Sequence, residues 1–299
     1  MVPPTPEKPA ENPIEKLATS VYPAFALLAG MQLDLFTSLK DGPLDAEKVA
    51  SKIDANADKL KVLLYSLVVS GFLNVEGKLF SNTDIADRYL VKDSPECIVD
   101  IHDLLSTMLN AAIKSSESIR TGMPQAKINY SSMSKDDLRQ FFRGEHPYAL
   151  ESGRDLVKRF DFTSYSTLLD VGGGSGGTSI AVTEACPNIQ ATIMDLPLIT
   201  PVAQYYIDKA NAGNKINVIA TDVIHDPLPG SYDVAVMASF LQILSAKDAR
   251  NAIKNVSKII NPGGDIYIRG YGIIDDSRVS PQKNVEFSLV YINVYDEGQ

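Results

Sequence analysis

The sequence predicts an α/β chain: a helical front of winged-helix pattern, then a half in which strands and helices alternate. Three observations predict it. Apolar residues in the first seventy positions recur at helical spacing and are followed by a short hairpin pattern. From Thr167 onward, short apolar strands alternate with helices through short joints, the pattern of a parallel sheet covered on both faces. Glycines crowd the first strand–helix joint of that second half. The 299 residues, 44% hydrophobic and 22% charged, are enough for two domains with cores of their own.

The elements follow in order. Met1 to Pro13, rich in Pro, Glu and Lys, reads as a disordered leader without the apolar core of a secretory signal. Tyr22 to Leu39 carries Phe25, Leu28, Leu33 and Phe36 near helical spacing, and Gly42-Pro43 closes it. Helices are predicted over Ala46–Ile53 and Ala57–Ser70, the second with Leu60, Leu63, Leu64, Leu67 and Val68 on one side and Gly71 as its stop. Phe72–Val75, a turn at Glu76-Gly77 and Lys78–Phe80 form the hairpin. Ile98–Ile119 reads as one helix, 121–134 as a loop, and Lys135–Phe160 as a helix entering the second half. The domain boundary is placed there, giving 1–134 and 135–299. Strands are then predicted at Thr167–Val171, Gln190–Met194, Ile216–Ala220, Tyr232–Met237 and Asp265–Ile268, and helices at Ser179–Ala185, Leu198–Ala212 and Ala246–Ile260.

Charge limits the partners. The net charge of −9 disfavours a nucleic-acid backbone or an anionic membrane. Residues 1–100 hold 10 Lys+Arg against 15 Asp+Glu, and the third helix offers only Lys59 and Lys61. A DNA-reading winged helix concentrates basic residues there, so this one is expected to pair subunits. No apolar run spans a bilayer. Cys97 and Cys186 lack metal-ligand spacing and read as buried free thiols of a reducing compartment, with the cytoplasm as the expected location and no metal site.

The chemistry centres on Leu169-Asp-Val-Gly-Gly-Gly-Ser-Gly-Gly177. Glycines at a strand end let backbone approach a ligand, and a helix N-terminus follows. Gly172, Gly174 and Gly177 also satisfy the dinucleotide spacing, a weak signal alone. Asp170 argues against a pyrophosphate and for the sulfonium and ammonium of S-adenosylmethionine. Asp195 ends the second strand, placed for both ribose hydroxyls, and Asp222 follows the third, within reach of an adenine amino group. Helix capping is the plainer account of each acid.

Asp170-Val-Gly-Gly-Gly-Ser-Gly176, Asp195-Leu196-Pro197, Asp222 and Asn261-Pro262-Gly263-Gly264 resemble the signature of the plant caffeate-type O-methyltransferase family and its bacterial relatives, over nearly the whole chain after the leader. The resemblance implies a class I methyltransferase (Rossmann-like) domain behind a winged-helix dimerisation domain. It implies a homodimer, a small-molecule methyl acceptor, and S-adenosylmethionine contacts at Gly172, Asp195, Leu196, Asp222 and Val223; Asp170, Gly174 and Ser239 complete the candidate cofactor site. It also implies a last helix and closing strands beyond Gln299.

The departures lie on the acceptor side. The family's His base is matched by Gln242, which cannot take a proton near neutral pH. The Asp that follows it is Ile243, a cofactor-contacting Lys is Ala238, and the Glu that orients the base is Gly270. Three readings follow: an acceptor with no proton to lose, a different base, or a cofactor-binding fold with other chemistry. Bacterial relatives that methylate carbon, such as the bacteriochlorophyll C-20 methyltransferase, also lack the His and favour the first two. His146, Tyr148, Gln242 and Arg269 are the candidates for catalytic roles. His146 is weighed against a structural histidine and Arg269, a carboxylate clamp, against a surface ion pair. His102 reads as packing and His225 as exposed. Tyr22 is placed to reach the partner subunit's pocket. Asn284, Glu286, Tyr291 and Asn293 fall on a pocket wall in relatives, with Phe287, Leu289 and Val290 as core. The competing classes are a metabolite-sensing winged-helix regulator and, on glycine spacing alone, a nicotinamide enzyme.

Overall fold

The computed structural model describes residues 12–272 and 276–296. The expected leader lies outside them except for Asn12 and Pro13, and Asn12 caps the first helix by accepting from the Ile14 amide. The chain divides into two units, Met1–His102 and Asp103–Gln299.

The first unit runs α1 (Pro13–Thr19), α2 (Tyr22–Gln32), α3 (Leu35–Ser38), α4 (Ala46–Lys52), α5 (Ala57–Val69), β1 (Leu73–Glu76), β2 (Leu79–Asn82) and α6 (Asp84–Leu90). The single helix predicted from Tyr22 to Leu39 is broken: Asp34 takes a left-handed conformation (φ 53°) and starts a new turn. The break lets Leu35 and Phe36 fall into the core with Val49, Leu64 and Leu67. Asp45, Asn56 and Thr83 cap the N-termini of α4, α5 and α6 with their side chains, and Gly77 (φ 61°) turns the β1–β2 hairpin as the sequence predicted.

The second unit runs α7 (from His102 to Ala112), α8 (Ser115–Thr121), α9 (Lys135–Arg159), β3 (Thr167–Val171), α10 (Gly177–Ala185), β4 (Gln190–Asp195), α11 (Thr200–Lys209), β5 (Ile216–Ala220), β6 (Tyr232–Ala238), α12 (Ala246–Ser257), β7 (Ile260–Arg269) and α13 (Gln282–Val294). The helix predicted over Ile98–Ile119 is two helices with a short 3-10 turn before them. These helices join the second unit because α8 docks on α13: Asn293, fully buried, accepts from Ser118 Oγ (2.6 Å) and donates to Ser115 Oγ (3.0 Å). The division therefore falls after His102, where the sequence reading had placed it after residue 134. Leu289, expected in the core, is 49% exposed on α13. Both cysteines are free and half-buried.

The sheet is parallel in the order β5-β4-β3-β6-β7. Construction runs outward from β3 through β4 to β5, then restarts on its other side with β6 and β7. The switch point, where open α/β sheets bind ligands, thus lies between the ends of β3 and β6. Strand period two sends Leu168, Ile193, Val234 and Val236 to one face, under α9, α10 and α11. Leu169, Val171, Met194, Ala235 and Met237 pack on the other, with Val256 of α12. Asp170 shares the first face and is the charged exception in its core.

Candidate active site

The loop after β3 is built from backbone. Gly172 (φ 63°), Gly174 (φ 56°) and Gly176 (φ 74°) hold conformations that side chains disfavour. A Cβ at Gly174 would lie 2.8 Å from the Phe142 ring, and one at Gly172 would run into the Phe240 ring. These two rings wall the loop from α9 and from the segment after β6. The sequence reading did not single out either, because a ring facing a glycine carries no local signal.

Asp195 closes the loop from β4. Its carboxylate accepts from the Gly174 amide (2.8 Å) and the Leu196 amide (2.7 Å). A carboxylate offers about four acceptor positions, so about two remain for ligand hydroxyls. Burial pushes its pKa up to about 6 against the pull of those two amides. Leu196 stands 36% exposed beside it.

Asp170 lies under the loop rather than open to it. It is 1% exposed and accepts from Ser179 Oγ of α10 (2.8 Å), and burial pushes its pKa up to about 6. Direct contact with a sulfonium, the role first read for it, does not match that position, and its bond with Ser179 ties β3 to α10. Asp222 is engaged in its own turn: it accepts from the Ile224 amide (2.9 Å) and pairs with the exposed His225 (2.8 Å). Burial pushes Asp222 up, but His225 and the turn amides outweigh it, so its pKa falls below the usual value. Val223 is buried against Leu169 and Val171. Ser239, exposed with a positive φ of 54°, donates its amide to the Arg269 carbonyl (2.8 Å).

On the acceptor side Gln242 is buried and bonded at both ends of its amide. Its Nε2 donates to the Tyr291 hydroxyl and its Oε1 accepts from the Tyr271 amide (2.8 Å). A side chain at Gly270 would run into that same Oε1. Gln242 and Gly270 therefore accommodate each other.

The remaining candidates separate. His146 faces the glycine loop instead of Gln242: its Nδ1 is 2.9 Å from Ser175 Oγ and its ring stacks on Tyr206 at 3.8 Å. Burial, with Lys209 and Arg154, lowers its pKa to about 4, so it is neutral at pH 7. Arg269 is exposed and 3.8 Å from Asp155 of α9, the surface ion pair weighed for it. Tyr148, 41% exposed, lies on the acceptor side with Tyr271 and Glu145, which together with burial raise its pKa. Tyr22 is 64% exposed in the first unit. No group of His, Cys, Asp and Glu among the described residues could hold a metal.

A parallel sheet of this order, a glycine loop after its first strand and an acid ending the second define a class I methyltransferase domain. The chain matches the O-methyltransferase domain over residues 109–299 and the O-methyltransferase dimerisation domain over 15–92. It belongs to the O-methyltransferase family. It is 24% identical over 283 residues to the 3-hydroxy-5-methyl-1-naphthoate 3-O-methyltransferase of Streptomyces sahachiroi, covering 93% of this chain and 81% of that one. It is 25% identical over 290 residues to the acetylserotonin O-methyltransferase of Macaca mulatta, covering 91% and 83%. Human N-acetylserotonin methyltransferase in complex with S-adenosylmethionine superposes with a TM-score of 0.84 at 22% identity, over 98% of this chain and 89% of that one. PigF with S-adenosylhomocysteine gives 0.82 at 22%, over 96% and 89%.

The family's cofactor is S-adenosylmethionine, and the residues present fit it. The glycine cradle accepts backbone-close contact, and Asp195 keeps acceptor capacity for two hydroxyls. No helix among the described residues is long and apolar enough to cross a membrane.

Proposed function

We propose that the protein is a homodimeric S-adenosylmethionine-dependent methyltransferase of a small molecule that works without a histidine base at position 242. The observation that carries this is the contrast at one sheet edge. The glycine–Asp195 cradle keeps its donors and acceptors, whereas Gln242 is an amide tied to Tyr291 and Tyr271. The cofactor, when bound, supplies a methyl carbon made electrophilic by a sulfonium. Asp195, Gly172, Gly174 and Leu196 would hold it, with Val223 as an apolar neighbour beneath and Ser239 and Asp222 at the rim. The protein's main contribution is in-line placement, which alone supplies several kcal/mol, up to about 7–11. Gln242 holds Tyr291 and the chain at Tyr271 and moves no proton. An acceptor already ionised or a thioether sulfur needs nothing more, and a neutral carbon nucleophile releases its proton only after the methyl has arrived.

A second reading keeps a protic acceptor and replaces the histidine with another base. It is supported by the Glu145 carboxyl of α9, which burial pushes up to about 7. Homodimer formation is supported by the exposed apolar side chains of the first unit, among them Tyr22, Phe25, Val62 and Val69.

Calorimetry with S-adenosylmethionine and S-adenosylhomocysteine tests the proposal, with Asp195→Ala as the control. Loss of two charge-assisted bonds, about 1.5–3 kcal/mol each, predicts that the variant binds about 10²–10⁴-fold more weakly. A folded wild-type chain that binds neither compound would sink the proposal.

A further inference from the structure

The Gln242 amide has one possible orientation. A backbone N–H can only donate, so the end of the amide that meets the Tyr271 N–H at 2.8 Å is the oxygen, Oε1. The other end is Nε2, and it donates to the Tyr291 hydroxyl. That bond fills a lone pair on Tyr291 and leaves its proton unspent. No acceptor takes that proton among the described residues. Burial raises the Tyr291 pKa, so the hydroxyl keeps the proton at neutral pH. Tyr291 is 5% exposed, and a donor so deeply buried is costly to leave unpaired.

Contacts tie this hydroxyl to two points of the glycine loop. On one side, Gln242 lies shortly after Phe240, whose ring stands against Gly172. On the other, the Tyr291 ring packs on that of Tyr295 with centres 5.7 Å apart, and the Tyr295 hydroxyl is 3.5 Å from that of Tyr130. Tyr130 in turn stacks on Phe142 (6.3 Å between centres), whose ring stands against Gly174. The contacts close into a ring that begins and ends on the cofactor cradle.

The chemistry of the partner that the proton lacks follows from its surroundings. The rings of Tyr271, Phe287 and Tyr295 lie around Tyr291 and favour a neutral partner over an ionised one. A ligand hydroxyl would bring a second proton, and the Gln242 oxygen that could take it is already engaged by Tyr271. A carbonyl oxygen brings lone pairs and no proton. A solvent molecule can serve as such a partner, and a ligand that displaces it has to supply the same lone pair or lose affinity.

We propose that Tyr291 is a specificity-determining residue, whose hydroxyl donates to a carbonyl oxygen of the methyl acceptor, so that the acceptor is a compound carrying a carbonyl group besides the atom that receives the methyl. Gln242 acts through Tyr291 as a positioning residue: by donating to the hydroxyl, it turns the proton toward the ligand. This rests on the methyltransferase reading above.

The test measures binding to the S-adenosylhomocysteine complex by calorimetry. The probes are acetylnaphthalene, a ketone, and isopropenylnaphthalene, in which a methylene stands in place of the oxygen. Wild type is expected to bind the ketone about ten- to a hundredfold more tightly. Infrared difference spectroscopy should show the bound carbonyl stretch shifted to lower wavenumber. Tyr291→Phe keeps the ring and removes the donor. Gln242→Glu keeps the Tyr291 hydroxyl but offers an ionised carboxylate that takes its proton. Both variants are expected to lose the preference and the shift, with S-adenosylhomocysteine affinity unchanged as proof that each has folded. Should one fail to fold, the other decides. A wild type that binds the probes equally, or binds neither, overturns the proposal, as does a preference that survives in a folded variant. Failure of wild type to bind S-adenosylhomocysteine instead removes the methyltransferase reading itself.

Discussion

The ends of β3 and β4 and the ends of β6 and β7 line the same edge of one parallel sheet, but they are held by different means. At β3–β4 the site is backbone: three glycines at positive φ and two amides donating to the Asp195 carboxylate. At β6–β7 the site is side chain: the Gln242 amide ties Tyr291 of α13 to the chain at Tyr271, and Gly270 leaves it room. A backbone cradle tolerates few substitutions, because only glycine fits its conformations and its close approaches. A side-chain network can be rebuilt by substitution, provided that touching positions such as Gln242 and Gly270 change together.

Acidification presses hardest on the first half. Burial holds Asp170 and Asp195 near 6, above the unfolded value of about 4. In the ligand-free protein these groups favour the protonated folded state. Their contribution to stability is present below about pH 4 and is lost as pH rises through about 6. Cofactor binding has the opposite sign, since ribose hydroxyls need an ionised Asp195. The affinity for S-adenosylhomocysteine, measured by calorimetry, is expected to fall about tenfold per pH unit below 6 for each proton taken up. An affinity independent of pH between 7 and 5 would mean that Asp195 is not the ribose ligand.

A smaller effect is expected one layer out. His146→Phe keeps the ring on Tyr206 and removes the bond to Ser175. A neutral hydrogen bond contributes about 0.5–1.5 kcal/mol, so cofactor affinity should weaken about two- to tenfold with kcat little changed. A collapse of kcat at unchanged affinity would put His146 in the chemistry.

The smallest effect belongs to the acceptor half. Gln242→His is expected to give no gain in activity, because the ring loses the bonds to Tyr291 and Tyr271 and finds glycine where the family's orienting acid would stand. Kinetics of the single variant and of Gln242→His with Gly270→Glu check this. A gain of about tenfold or more in the single variant would show that a histidine base is all that is missing.

Some of this was legible along the chain. The hairpin, the strand–helix alternation and the glycine loop followed from local rules: period two, period 3.6, turn glycines and a helix start. Asp195 was legible because strand ends follow from strand pattern. Other features were not. The break at Asp34 depends on what Phe36 packs against, and the docking of α8 on α13 depends on Asn293, some 175 positions from Ser118. Glu145 and His146 are adjacent in sequence and alike in being titratable, and nothing local tells that His146 is the one that clips the glycine loop.

By itself, then, the sequence determined the elements, the family and the backbone-built cradle, because each rests on interactions between residues close in the chain or on conformations open only to glycine. The tertiary structure alone decided that Asp170 is a buried strut, that Arg269 belongs to Asp155, and that His146 clips the glycine loop. Those outcomes depend on desolvation and on contacts between distant segments, which exist only once the sheet and its helices have packed.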